Sequence, residues 1–304
     1  MLKKLKKVVK DPKLILEYLL DFRIFRVLPD ELYLKIKYRI RMGEILNLTT
    51  PETFNEKLHW LKLYAWKPEY TRMVDKYEVR NYIKEMIGEG YSVPLLGVYD
   101  SFEDVDFDML PNEFVLKPNH TSGNIFICKD KSKIDYKKLK KEVNRWLKRK
   151  YYWFHRERPY KNVKPRILCE KYLVDELGQE LKDYKVFCFN GVPGFIQVDF
   201  NKSTDYTRNL YDPDWNYIPV TYRHPTDPNK LIMKPTNLEE MLEIAKKLSR
   251  GFPFLRIDFF YIHQKLYITE LTFYPEAGFG TFEPETYNYK FGSWIKLPNK
   301  LFKD

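Results

Sequence analysis

FLRIDFFYIHQKLYITELT, residues 254–272, holds two apolar runs, 254–260 and 266–271, joined by the short polar link His263-Gln264-Lys265. Runs of this length around a polar turn predict two adjacent antiparallel strands. Such a pairing sets Asp258, in Arg256-Ile257-Asp258, beside Glu270, in Thr269-Glu270-Leu271-Thr272. Neighbouring carboxylates repel unless a cation stands between them. Mg2+ takes a few carboxylate oxygens together with phosphate oxygens and water. A rim pair, each carboxylate bridged to a basic side chain, is the other reading of the same residues.

Working upstream, 184–189 and 192–200 are strands joined by Asn190-Gly191, a hairpin signal. An apolar strand over 167–172 carries Glu170. Another buried strand, 113–117, ends in Lys117 and runs into the polar turn 118–124, after which a strand resumes over 125–128. A lysine at a strand end suits a phosphate, and the N–H groups of a turn holding Ser122 and Gly123 can cover a phosphate chain. The same pattern is also common loop chemistry. Asp75-Lys76 opens a helix predicted over 75–86. Lys76 is then a second candidate for phosphate, or Asp75 is merely the cap of that helix.

The other elements frame these. A helix is predicted over 53–64 with Phe54, Leu58, Leu61 and Leu63 inward, and a short strand over 91–96. Leu139, Val143, Trp146 and Leu147 recur at helical spacing. A helix over 237–249 has Asn237 at its cap and Glu239-Glu240 in its first turn. The proline-rich segment 201–236 reads as a long, partly irregular excursion, and the chain beyond 271 as a closing loop. Helices alternating with antiparallel hairpins give an α+β class.

The formal charge is +11, which favours an anionic partner. Residues 1–41 hold 12 Lys/Arg against 5 Asp/Glu, so much of the excess sits on the two or three short helices expected there. They lie on an anionic membrane surface or present a solvated face. No nucleic-acid motif is present, so nucleic acid is not an expected partner. Cys128, Cys169 and Cys188 are widely spaced in apolar runs and read as reduced core residues, which predicts a cytoplasmic protein. No apolar run is long enough to cross a membrane.

Five motifs in fixed order lift these signals above noise: Asp-Lys before a helix, strand-Lys-turn, Glu-Lys-aromatic-Leu, Asp-x-Lys entering a hairpin, and Arg-x-Asp followed by Glu-x-Thr. The order resembles the ATP-grasp superfamily. TFNEKLHWLKLY (53–64), DKYEVR (75–80), FVLKPNHTSGN (114–124), DYKVFCFNG (183–191) and ELTFYPEAGF (270–279) look more narrowly like the TupA-like ATP-grasp family of polysaccharide biosynthesis. The resemblance implies two α+β subdomains gripping ATP behind a helical N-terminal region. The implied boundaries are a basic region 1–50, an N-terminal subdomain 51–112, a small lid 113–173, and a larger sheet subdomain 174–304 with the metal site.

The resemblance also implies roles. Lys76 and Lys117 would contact the ATP phosphates, under a mobile turn formed by His120, Thr121, Ser122, Gly123 and Asn124. Glu170 and the backbone of Lys171, Tyr172 and Leu173 would meet the adenine, and Asp183, or else Glu176, the ribose. Asp258 and Glu270 would hold Mg2+, with Thr272 where superfamily members carry Asn. Arg256, with Lys185 and His120, would serve the chemistry. The implied reaction is ATP-dependent joining of an amino acid or related amine to a uronic acid of a surface polysaccharide, or to a nucleotide- or lipid-linked precursor. The alternatives are a sugar kinase, or a glycosyltransferase using one of the Asp-x-Asp triplets at 104–106, 106–108 or 212–214.

Overall fold

The computed structural model describes residues 12–175, 181–200 and 206–299. The basic stretch 1–11 and the ribose candidate Glu176 lie outside the described residues. Helix α1 (Pro12–Leu20), a 3-10 turn (Arg23–Val27) and α2 (Asp30–Met42) come first. Asp30 and Glu31 occupy the first turn of α2, and Gly43 ends it in the left-handed conformation.

Helix α3 (Phe54–Tyr64) starts at a capping box: the Thr53 side chain accepts from the Glu56 N–H, and the Glu56 carboxylate accepts from the Thr53 N–H. Phe54, Leu58, Leu61 and Leu63 are buried, and so are Asn55, His59 and Lys62. The strap 274–280 covers these polar residues. Asn55 Nδ2 donates to the carbonyls of Gly278 (3.0 Å) and Gly280 (2.8 Å), and Lys62 Nζ donates to Ala277 O (2.8 Å). They hold Glu276, Ala277 and Gly278 at φ 50°, 54° and 78°. At Gly278 a Cβ would stand 3.0 Å from His59 Nε2, so both conformation and space call for glycine.

The helix expected over 75–86 is present as α5 (Val79–Ile87), starting four residues later, and a short helix, α4 (Tyr70–Val74), precedes it. Asp75 closes α4, and its carboxylate accepts from the Tyr77 N–H at 2.8 Å, drawing 75–78 into a turn. Lys76 sits in that turn.

The small sheet contains β1 (Leu95–Tyr99), β2 (Phe114–Pro118), β3 (Phe126–Cys128) and β4 (Ile167–Lys171), in the antiparallel order β1-β4-β2-β3. Helix α6 (Tyr136–Leu147) joins its core through Leu139, Val143 and Trp146, and the single turn α7 (Tyr152–His155) follows. Since β1 belongs to this sheet, the small unit draws on residues ahead of 113.

The large sheet is built from β5 (Asp183–Phe189), β6 (Val192–Phe200), β7 (Thr207–Tyr211) and β8 (Tyr217–Ile218). After β9 (Thr221–Tyr222) and α8 (Leu238–Ser249) come β10 (Phe254–Ile262) and β11 (Lys265–Thr272), then β12 (Phe282–Glu283) and α9 (Thr286–Trp294). The sheet order is β11-β10-β5-β6-β7-β8. Two expectations are corrected. The 201–236 excursion contains β7, a wholly buried strand paired along β6. The closing loop contains α9, whose Phe291 packs on Phe195 with ring centroids 4.5 Å apart; tertiary packing overrides a weak local pattern there. At α8, Asn237 precedes the helix as expected, but its side chain makes no cap and donates instead to Glu240 and Gln264 O.

Strand alternation gives the large sheet two unlike faces. Val186, Ile196, Val198, Leu255 and Ile257 meet the apolar side of α8 in the main core. The opposite face is split along its length. One end holds Phe187, Phe189, Phe195 and Phe254, covered by Phe54 and Phe291. The other end carries Asp183, Lys185, Asp199, Arg256 and Asp258, and there the face opens into a cavity.

Candidate functional site

The register sets Asp258 directly opposite Glu270 on β11 and opposite Lys185 on β5. Just beyond, the β10–β11 pairing shifts by one residue, leaving Thr269 as the extra residue of a bulge whose hydroxyl donates to Asp258 O at 3.3 Å. Bulges re-aim side chains next to functional sites.

Side-chain cations compensate the two carboxylates. Arg256 grips Asp258 through two parallel bonds, Nε to Oδ1 and Nη2 to Oδ2, both 2.7 Å, and Nη2 also donates to the Thr272 hydroxyl at 3.1 Å. Lys185 Nζ lies among three carboxylates, Asp183 at 3.0 Å, Asp199 at 3.3 Å and Asp258 at 3.7 Å. Lys76 Nζ stands 3.5 Å from Glu270 Oε1 and donates to Thr121 O at 2.9 Å, linking the pair to the turn of the small sheet. Burial alone would raise the Glu270 carboxyl, but Lys76, Arg256, Lys185 and Lys117 hold it below the usual carboxylate range. The rim reading therefore describes the carboxylates as they stand here, inside a site rather than on a surface.

The cavity has a volume of about 570 Å³, within the range of small-molecule sites. Of the residues singled out in the sequence it takes in Ser122, Gly123, Asp183, Lys185, Arg256, Asp258, Glu270 and Thr272. Lys76 adjoins it through Glu270. Lys117 lies outside the lining, bonded to Glu170 at 2.6 Å, and Arg80 approaches the same carboxylate at 3.7 Å. Lys171 ends β4, and Tyr172 and Leu173 follow it, with Lys129 over the Tyr172 ring. Asn124 accepts from Arg149 at 3.1 Å and lies outside the lining. His120 is buried away from the cavity, its ring nitrogens against Asn119 Oδ1 and Arg149 O. Burial pushes its pKa down to about 4, so the ring is neutral at physiological pH.

The sequence reading missed several groups of this site. Asp199 and Arg208 are bonded at 2.8 Å on neighbouring strands, and Arg208 also reaches Glu276 of the strap at 3.1 Å. Arg41 comes from α2, and Tyr151, Glu157 and Tyr160 from the segment after α6. Asp199 was within reach, since it sits at strand period on the hairpin that carries Asp183 and Lys185. Glu157 and Arg41 have no motif around them. Asn119 was hidden inside a quoted motif: fully buried, it donates to Asp75 Oδ1 and Lys164 O, both at 2.9 Å, and accepts from the Arg166 N–H at 2.7 Å.

The three Asp-x-Asp triplets are turn chemistry. Asp104 accepts from the Ser101 N–H, Asp106 from those of Asp108 and Met109, and Asp212 from those of Asp214 and Asn216. None of them lines the cavity.

A sequence profile described as TupA-like ATPgrasp matches residues 56–296. No protein of curated function matches the chain. Among solved structures it is similar to the D-alanine–D-alanine ligase of Bacillus anthracis complexed with ATP, at 17% identity over 73% of this chain and 64% of that one, with a TM-score of 0.43. The corresponding figures for the D-alanine–D-alanine ligase of Helicobacter pylori are 15%, 81%, 68% and 0.42. For the ATP-grasp ligase PsnB with its minimal precursor they are 12%, 68%, 53% and 0.37. The chain thus spans from about half to about two thirds of these relatives' lengths.

Proposed function

The chain belongs to the TupA-like ATP-grasp family, and we propose on that premise that it is an ATP- and Mg2+-dependent carboxylate–amine ligase acting through an acyl phosphate. The observation that carries this reading is the opposed pair Asp258 and Glu270, ringed by Arg256, Lys185 and Lys76 and open to a cavity that Ser122 and Gly123 also line.

The donor set fits Mg2+, being two carboxylates and no nitrogen or sulfur. Asp258 and Glu270 would hold the ion, which supplies charge neutralisation for the transferring phosphoryl group. Arg256 is planar and bidentate toward Asp258, and the same fork suits phosphate oxygens. Thr272, bonded to Arg256, serves to orient that guanidinium. Lys76 and Lys117, now paired with Glu270 and Glu170, act as phosphate cations. Glu170 and residues 171–173 border the adenine, Asp183 the ribose, and Lys185 holds Asp183 and Asp258 in register. Ser122 and Gly123 cover the phosphates, and an exposed glycine at φ 77° with open space around it suits a turn that moves. Buried, neutral His120 and Asn124 brace the turn from behind. Covering the site keeps water from the acyl phosphate.

For the substrates, we infer an amino acid or related amine joined to a uronic acid of a surface polysaccharide or its precursor. The family resemblance supports the glycan, and the Arg208 and Tyr206 side chains in the cavity suit a carboxylate and sugar hydroxyls. The N-terminal helices are proposed to rest on an anionic membrane. Ile24 and Val27 are 74% and 85% exposed beside Arg23 and Arg26. Among the described residues no helix is long and apolar enough to cross a membrane.

The test is ADP release with ATP, Mg2+ and D-glucuronate, D-galacturonate or their UDP conjugates, with hydroxylamine as trap. A ligase of this kind gives a hydroxamate. ATP consumption that leaves the phosphoryl group on a sugar hydroxyl, with no hydroxamate, would make the protein a kinase.

A further inference from the structure

The wall of the cavity contributed by residues 151–160 has no part in the nucleotide reading. Glu157 is 4% exposed and lines the cavity; its backbone carbonyl accepts from the Tyr160 N–H, and its carboxylate has no hydrogen-bond or ion-pair partner among the described residues. A buried carboxylate is costly unless something compensates it. Tyr151 and Tyr160 line the same wall, their rings 4.8 Å apart, and neither hydroxyl has a hydrogen-bond partner among the described residues. The nearby ammonium of Lys62 is committed to Ala277 O.

The wall is built, not incidental. Arg156, just before Glu157, is buried in the left-handed conformation at φ 54°, which costs free energy for a residue with a side chain. Asp30 at the start of α2 accepts from Arg156 Nη1 at 3.3 Å, Arg158 Nε at 3.1 Å and the Tyr152 hydroxyl at 2.6 Å. Lys37 Nζ and the Tyr33 hydroxyl donate to Phe154 O at 2.6 and 3.2 Å. Arg156 is thereby drawn toward α2, and the next side chain is left on the cavity side.

We propose that Glu157, Tyr151 and Tyr160 form the subsite for the ammonium group of the incoming amine, with Glu157 taking its proton. The inference rests on the ligase reading and deepens it. A carboxylate and two phenolic oxygens are acceptors of the kind that recognise a primary ammonium. One ammonium proton passes to the Glu157 carboxylate. The freed nitrogen lone pair forms the C–N bond at the acyl carbon, the C–O bond to phosphate breaks, and phosphate leaves with that electron pair. The surplus proton on the new amide nitrogen goes to the departing phosphate. Burial raises the Glu157 carboxyl against the pull of Lys62, which favours uptake of a proton there.

The experiment compares two nucleophiles on one acyl phosphate, using whichever uronic acid gives hydroxamate with the wild-type protein. Hydroxylamine is largely uncharged at pH 7 and needs neither an ammonium site nor a base. Glycine, L-glutamate, L-lysine and ethanolamine are ammonium ions there. In Glu157→Gln the amine arm is expected to fall about 100-fold further than the hydroxylamine arm. Tyr160→Phe, which keeps the ring, is expected to raise the KM for the amine several-fold with a smaller change in kcat. Equal losses in both arms, or none, would overturn the subsite. Saturation-transfer NMR with ethanolamine on the ATP-loaded protein needs no turnover. Its signal should vanish in Glu157→Gln, and an unchanged signal would overturn the subsite even if the hydroxamate assay had already disposed of the ligase.

Discussion

The Asn119 side-chain amide donates to the Asp75 carboxylate at 2.9 Å, and the Lys76 N–H donates to Asn119 O at 3.1 Å, so the turn that carries Lys76 is tied to the strand end that carries Lys117. The two proposed phosphate cations are thus placed by one fully buried amide. Asn119→Ala removes the donor to both Asp75 and Lys164 O, each a loss of about 1–3 kcal/mol. Burial already raises the Asp75 carboxyl, and Asn119 is one of the groups that lowers it, so the variant should raise it further. The expected outcome is a lower urea midpoint together with weaker ATP binding by calorimetry. A variant destabilised with unchanged ATP affinity would separate this amide from the site.

The strap over the cavity depends on α3 in the same way. Asn55→Ala leaves the carbonyls of Gly278 and Gly280 without their donor, again about 1–3 kcal/mol each. Glu276 is then less firmly aimed at Arg208. Urea unfolding should show the loss, and Asn55→Asp, which keeps the shape but removes the donor, should not restore it.

What the sequence made legible follows physical range. The Asp258–Glu270 pair was readable because a hairpin converts a local pattern into a register. The Asn190-Gly191 turn was readable for the same reason, and its residues adopt φ 51° and 80°. Lys76 and Lys117 were singled out by motif order, which gave no sign of their present partners, Glu270 and Glu170. Glu157, Arg41 and Arg208 reach the site only through tertiary packing, which leaves no local period. Asn55, His59 and Lys62 break the apolar pattern of α3 and are buried all the same. Their burial depends on a strap more than two hundred residues away in sequence, which no periodicity in α3 encodes.

Folding stability should fall with acid. His59, His155 and His120 all have pKa values pushed down by burial, the last to about 4. Near pH 6 and below, the unfolded chain binds protons at these rings that the folded chain does not, so stability is full above pH 6.5 and is lost as pH drops toward 4. Glu157 acts oppositely, because its raised carboxyl keeps a proton in the folded state that the unfolded chain has released, and it offsets part of the loss between pH 7 and about 4.5. His120→Gln should lose about 2 kcal/mol less than wild type between pH 6.5 and 5 in urea unfolding. Identical slopes would mean that His120 takes up its proton as readily in the fold as in the unfolded chain.

The proposed membrane contact combines the apolar side chains around 15–27 with the basic stretch ahead of them. Deleting residues 1–12 should weaken binding to anionic vesicles at low salt and leave nucleotide affinity unchanged. Ile24→Ser with Val27→Ser should weaken it at high salt as well, because that part of the interaction is hydrophobic and unscreened. Sedimentation with phosphatidylglycerol vesicles measures both. Intact protein that stays in the supernatant at low salt would rule the membrane out.

The reaction itself is tested at the carboxylate pair. Asp258 and Glu270 would hold Mg2+, so each neutral isostere removes part of the charge that would hold the ion and with it counter-charge for the transferring phosphoryl group. Asp258→Asn and Glu270→Gln should each lower turnover by a few orders of magnitude, since electrostatic stabilisation of this kind is worth about 3–4 kcal/mol. Asp258→Asn also frees Arg256 from its bidentate partner, so part of its effect should appear as altered ATP affinity. Glu270→Gln frees Lys76, which is still held by Thr121 O, so its effect should fall more purely on kcat. Lys117→Ala should weaken ATP binding more than it slows chemistry, because its present partner Glu170 is the proposed adenine contact and not a proposed contact of the transferring group. Asp212→Asn should change little beyond its own turn, whereas a glycosyltransferase using that triplet would be disabled. Sugar transfer from a nucleotide sugar without ATP, untouched by the Asp258 and Glu270 changes, would end the ligase reading.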